Sequence, residues 1–127
     1  MHRELAPEGL APPAANYAHA VLSEGSSRWL HTSGVVPTRP DGSVPPELAD
    51  QAGVVWATIG ALLDEAQMEE SDVVSVTTYV VEGHDLSEVM AARDRALGGR
   101  RAASTLVVVP SLARPEWLLE IAVIACA

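Results

Sequence analysis

Two apolar runs near the end of the chain limit what it can fold into. Arg101 to Pro110 contains Leu106-Val107-Val108-Val109, and Trp117 to Ala125 reads Trp-Leu-Leu-Glu-Ile-Ala-Val-Ile-Ala. Their Val, Leu and Ile content suits strands buried in a sheet, with Ser111 to Glu116 as the connecting loop. One acid, Glu120, lies inside the second run. An ionised carboxylate among apolar residues costs free energy unless it is hydrogen-bonded or lines a wet cleft. Glu120 is therefore the most informative single residue in the sequence.

The rest of the chain supplies the partners of those strands. Met1 to Asn16, with Pro7, Gly9, Pro12 and Pro13, reads as irregular. Tyr17 to Leu22 and Arg28 to Ser33 read as a hairpin closed by the turn Glu24-Gly25-Ser26-Ser27. Pro37 to Pro46 reads as a loop. Pro46 suits a first helical position, and Leu48, Ala52, Val55, Ile59, Leu62 and Ala66 recur at helical spacing. Val73 to Val81 is a β-branched run and reads as a central strand. Asp85-Leu86-Ser87-Glu88 has the form of a capping box, opening a second helix that buries Leu86, Val89, Met90 and Leu97 before Gly98-Gly99 stops it. The expected order is β-β-α-β-α-β-β in one domain, residues 1–127. Two helices cover one face of a mixed sheet, an α+β layout. The continuous apolar strands expect cover on the other face too, and another subunit is the expected source.

Composition excludes several classes. The formal charge is -9, and all eight basic residues are Arg. That balance opposes binding to a phosphate backbone, so no nucleic-acid partner is expected. The lone Cys126 makes no internal disulfide, and no membrane span or secretory leader is legible, so a soluble cytoplasmic protein without a membrane partner is expected. His19 and His31 fall on neighbouring predicted strands, but no third ligand has fitting spacing, so no metal is expected.

From Tyr17 to Ala125 the chain resembles the Rid family, the YjgF-like reactive-intermediate deaminases. Tyr17-Ala18-His19-Ala20-Val21 resembles that family's opening strand. Thr32-Ser33-Gly34-Val35-Val36-Pro37 resembles its Ser-Gly element, and Gln51 opens a helix that aligns without gaps. Ser71-Asp72-Val73-Val74 and Glu120-Ile121…Ile124-Ala125 resemble its later strands. The resemblance implies a chorismate-mutase-like, YjgF-type fold. It also implies a homotrimer with a central β-barrel and clefts between subunits. It implies cofactor-free hydrolysis of enamines and imines to 2-oxo acids and ammonia, with a glutamate orienting water and a tyrosine closing the pocket. Tyr17, Ser33, Gly34 and Glu120 match. The family's carboxylate-clamping arginine does not, because Ala103 stands in its place. Met90 and Val35 also depart from the pattern. A bidentate guanidinium pair has a geometry that alanine cannot reproduce. Arg101, on the same side of the predicted strand as Ala103, and Arg114 are candidate replacement cations for the small-molecule ligand, and Trp117 could cap the cleft. The expected function is Rid-like chemistry on a reactive enamine, imine or related small metabolite. The alternative is a non-catalytic ligand-binding or regulatory homotrimer.

Overall fold

The computed structural model describes all residues 1–127. Its elements are β1 (His2–Leu5), β2 (Ala20–Ser23), β3 (Trp29–His31), α1 (Leu48–Glu65), β4 (Val73–Val81), α2 (Leu86–Ala96), β5 (Ala103–Val109) and β6 (Leu119–Cys126), with a 3-10 turn at Glu70–Asp72 before β4. Four strands form one mixed sheet in the order β3-β6-β4-β5. β4 runs antiparallel to β6 and parallel to β5. Both helices pack on one face, as the sequence pattern leads one to expect. No helix is long and apolar enough to cross a membrane.

The helix-side face makes the core. Val76 and Val80 of β4 and Leu119, Ile121, Val123 and Ala125 of β6 point into it, against Leu48, Ala52, Val55, Ile59 and Leu63 of α1. The α1 stripe ends on Leu63 and not on Leu62, which is 39% exposed. Pro46 precedes the helix, whose cap is Glu47. In α2 the Asp85 side chain accepts from the Ser87 N–H, and the Ser87 hydroxyl holds the Asp85 carboxyl below its ordinary range. Val89 and Ala92 face the core, while Met90 is only half-buried. Gly98, at φ 62°, ends the helix in the left-handed region that favours glycine.

The expected first hairpin does not form. β2 pairs instead with β1, which lies in the segment expected to be irregular. β3 pairs with β6, the last strand of the chain. The Gly25 turn therefore separates two sheets. Ser27 and Arg28 both donate their N–H to the Ala127 carbonyl at 2.9 and 3.0 Å, and Arg28 Nη1 donates to the carbonyl of Ala66, the residue that caps the end of α1, at 2.7 Å. Tyr17 to His19 is not a strand; only Ala18 makes a bridge, parallel to Ala103 at the β5 edge. The observed order is β-β-β-α-β-α-β-β.

The second face of the sheet has no cover within the chain. Alternation places Ser75, Thr77, Tyr79 and Val81 of β4, Glu120, Ala122 and Ile124 of β6, and Thr105 and Val107 of β5 on it. The β4 and β6 members are half-buried, and Val107 is 39% exposed.

Candidate functional site

Glu120 sits on that uncovered face, one residue into β6. Its neighbour across β6 is set by an irregularity in the pairing. His31 pairs with Ile124 and Val35 bridges to Ile121, so four steps of one strand meet three of the other. Ser33 and Gly34 thus share Ala122 as a bulge. Thr32 repairs the ladder there, its hydroxyl accepting from the Val123 N–H at 3.0 Å. Val35 N–H then donates to the Ile121 carbonyl at 2.7 Å.

The bulge brings the Gly34 backbone against the Glu120 side chain. A Cβ built on Gly34 would stand 2.8 Å from Glu120 Cγ and closer still to Oε2. Gly34 is needed for space, since its φ is not in the left-handed region. Only glycine leaves this carboxylate its position. Glu120 is half-buried and has no ion-pair partner; the chain's two salt bridges are Arg93–Asp94 and Arg101–Glu4. Ser33 is exposed beside it. A half-buried carboxylate that accepts no hydrogen bond from its own chain is free to bind a ligand or a water.

Tyr17, Arg101 and Ala103 form a separate group at the opposite sheet edge. Arg101 Nε and Nη2 both donate to the Tyr17 carbonyl, at 3.1 and 2.6 Å, and Nη2 also pairs with Glu4 at 3.1 Å. The guanidinium thus ties the Tyr17 segment and β1 to the start of β5. Ala18 N–H donates to the Ala102 carbonyl at 3.0 Å. Tyr17 is half-buried; its hydroxyl accepts from the Ala14 N–H at 3.3 Å and its ring meets His19 edge-on. Ala103 is half-buried and begins β5.

The two groups do not meet within one chain. Three strand positions separate Glu120 from Ala18, and Ala103 lies four residues along β5 from Val107, which is level with Glu120. At about 4.8 Å per strand and about 3.3 Å per residue, roughly 19 Å lie between them.

Trp117 and Arg114 occupy the loop before β6. Arg114 Cζ stands 5.4 Å from the Trp117 ring centroid, a cation–π arrangement. Arg114 is exposed and Trp117 half-buried, with its Nε1 buried and unbonded.

Sequence reasoning gave Gln51 only a place at the opening of a helix; the structure buries it fully within the first turn of α1. Its Nε2 donates to the carbonyls of Pro45 and Glu116 at 2.8 Å each, and its Oε1 accepts from Leu118 N–H at 2.8 Å. Gln51 thereby fixes the segment that leads into Glu120. The available signal was an amide one turn from Leu48 on the apolar stripe.

His19 bonds the Ala11 carbonyl at 2.7 Å, and His31 stacks on Trp29. No group of three His, Cys, Asp or Glu side chains gathers to hold a metal. The clefts of the chain lie elsewhere. Three, of about 290, 300 and 270 Å³, open on the helical side, the first lined by Ile59, Leu63 and Leu97, the second by Val54 and Ala61, the third by Trp56 and Ala92. None reaches Glu120.

Comparison with known proteins gives consistent likenesses. Residues 8–127 match the sequence model of the endoribonuclease L-PSP family. The structure superposes on a Rid-family protein of unknown function, YyfB from Yersinia pestis, with TM-score 0.89 and 32% identity, covering 99% of this chain and 98% of that one. A RutC family protein from Haemophilus influenzae is 29% identical over 96 residues, 75% of this chain and 68% of that protein. The fold is also that of Escherichia coli TdcF, solved with bound serine, at TM-score 0.72 and 23% identity over 96% of this chain and 93% of that one.

Proposed function

The chain belongs to the endoribonuclease L-PSP family, the group that holds the Rid and YjgF proteins, and on that premise we propose that it is a small-molecule enzyme of the Rid type. It acts on enamines, imines or related reactive metabolites in a cleft between subunits of a homotrimer. Glu120 of one copy is the base, and Tyr17 of the neighbouring copy closes the pocket. The observation that carries this reading is the Glu120 carboxylate itself, half-buried, unpaired and laid on Gly34. The roughly 19 Å between Glu120 and the Tyr17–Ala103 edge supports a site assembled from two copies. The uncovered sheet face supports the assembly.

The chemistry needs no cofactor. Glu120 takes a proton from water as the oxygen attacks the imine carbon, and a C–O bond forms while the C=N π pair moves to nitrogen. The proton passes to that nitrogen. The carbinolamine hydroxyl then gives up its proton, relayed through Glu120 to the nitrogen, as the C–N bond breaks and the C=O bond forms, so that ammonia leaves and the carbonyl product remains. In this reading the Ser33 hydroxyl and Gly34 backbone position the ligand, and Trp117 with Arg114 covers the entrance. Serine bound to TdcF is in keeping with a small polar ligand in this fold. RNA, which the family description invokes, is disfavoured by the charge of -9. The lone, buried Cys126 suits a reducing compartment, the cytoplasm.

The test is ammonia release from freshly generated enamines and imines, including those of amino-acid amides. Turnover is expected, and Glu120→Gln should lower it about 100-fold or more, the scale of a lost general base. Equal rates in wild type and variant would overturn the assignment. Saturable ligand binding with no turnover on any member of the panel would make the protein a binding module instead.

A further inference from the structure

Tyr79 stands directly opposite Glu120 in the β4–β6 register, and Val107 stands opposite Tyr79 in β5. Facing residues of an antiparallel pair hold their Cβ atoms about 4.5–5.5 Å apart, so the two side chains leave the sheet side by side. Both are half-buried on the uncovered face. The Glu120 carboxylate leans toward Gly34, which lies on the far side of β6 from Tyr79. The phenol O–H and the carboxylate make no hydrogen bond to each other or to any other group of the chain. A donor and an acceptor thus stand side by side on one patch of the sheet.

The same face continues as a strip of hydroxyls. Thr77 lies one pleat from Tyr79, about 7 Å away, between Ala122 and Thr105, and Ser75 follows. β4, β5 and β6 contain no Arg or Lys. Arg114, in the loop before β6, holds its guanidinium over the Trp117 ring, and Arg101 is held by the Tyr17 carbonyl and Glu4. An anionic group brought beside Glu120 would meet like charge, and no strand of the face carries a cation to offset it. A neutral oxygen acceptor would meet the phenol donor.

We propose that Tyr79 is a further ligand-contacting residue of the Glu120 site, donating its phenol O–H to an uncharged acyl oxygen, so that the site selects amides, esters or ketones over carboxylates. This rests on Glu120 being the centre of the site and names the substrate class that site takes.

A matched pair of probes tests it, isobutyramide against isobutyrate, titrated into the full-length protein labelled with ¹³C at the Glu carboxyls. The Glu120 resonance is identified by its loss in Glu120→Gln. Isobutyramide should move it saturably, with isobutyrate at least tenfold weaker. Tyr79→Phe keeps the ring and should weaken isobutyramide roughly fivefold to tenfold while leaving isobutyrate unchanged, the scale of one lost hydrogen bond. If Tyr79→Phe binds isobutyramide as tightly as wild type, or isobutyrate is preferred, this proposal fails and the Glu120 site stands. If neither probe moves the Glu120 resonance, the Glu120 reading fails and this proposal falls with it.

Discussion

Gln51→Leu is expected to destabilise the protein by about 3–5 kcal/mol, with a fall in Tm of roughly 10–20 °C in scanning calorimetry. Leucine matches the glutamine in size, so little cavity is created. What is lost is polar satisfaction. The carbonyls of Pro45 and Glu116 and the N–H of Leu118 all bond the Gln51 amide at 2.8 Å, and the residue is fully buried. Each orphaned group costs about 1–3 kcal/mol where water cannot reach it, partly offset by the apolar side chain that replaces the amide. The same change frees the segment from Glu116 to Leu118, two residues before Glu120, so ligand affinity should fall with stability. A loss below about 1 kcal/mol would mean that water replaces the amide and that Gln51 does not set the approach to the site.

Ala103→Arg is expected to raise hydrolysis of 2-imino acids about 10- to 100-fold over a low wild-type rate. That range corresponds to the roughly 1.5–3 kcal/mol of one charge-assisted carboxylate contact. Ala103 starts β5 on the uncovered face, bridges to Ala18 and neighbours the Tyr17 segment. A guanidinium there would project from the edge that, in the proposed assembly, meets the Glu120 of another copy. Arg101 is not free to supply that cation, since its guanidinium holds the Tyr17 carbonyl and Glu4. Adding Glu120→Gln to Ala103→Arg should return the rate to baseline. An unchanged rate in Ala103→Arg would show that the cleft differs from a carboxylate-binding pocket at more positions than this one.

The elements that local pattern determines were legible in the chain. The apolar stripe of α1, the Asp85 cap, the Gly98 stop and the β-branched run of β4 each announce themselves within a few residues. Strand partnership was not legible, because it is settled by contacts far apart in sequence. Trp29 to His31 has the same local character whether it pairs with Ala20 to Ser23 or with the last strand. Only the docking of Ser27 and Arg28 on Ala127 and of Arg28 on α1 decides for the latter. β1 was hidden for a similar reason. Four residues with no alternation of their own become a strand because β2 offers an edge.

The candidate site divides the same way. Glu120 stood out because its flanks are apolar on both sides. The role of Gly34 could not be read, because its constraint is the Glu120 side chain crossing it, a tertiary contact made by a bulge. Tyr79 looked like one more aromatic in a strand until the register set it opposite Glu120.

The account turns on a site that one chain leaves unfinished. Light scattering of the purified protein at micromolar concentration measures this most directly. The expected mass is three times 13.4 kDa, about 40 kDa, and it should hold on dilution. A mass of 13.4 kDa would leave Glu120 and the Tyr17–Ala103 edge with nothing to join them and would contradict the account.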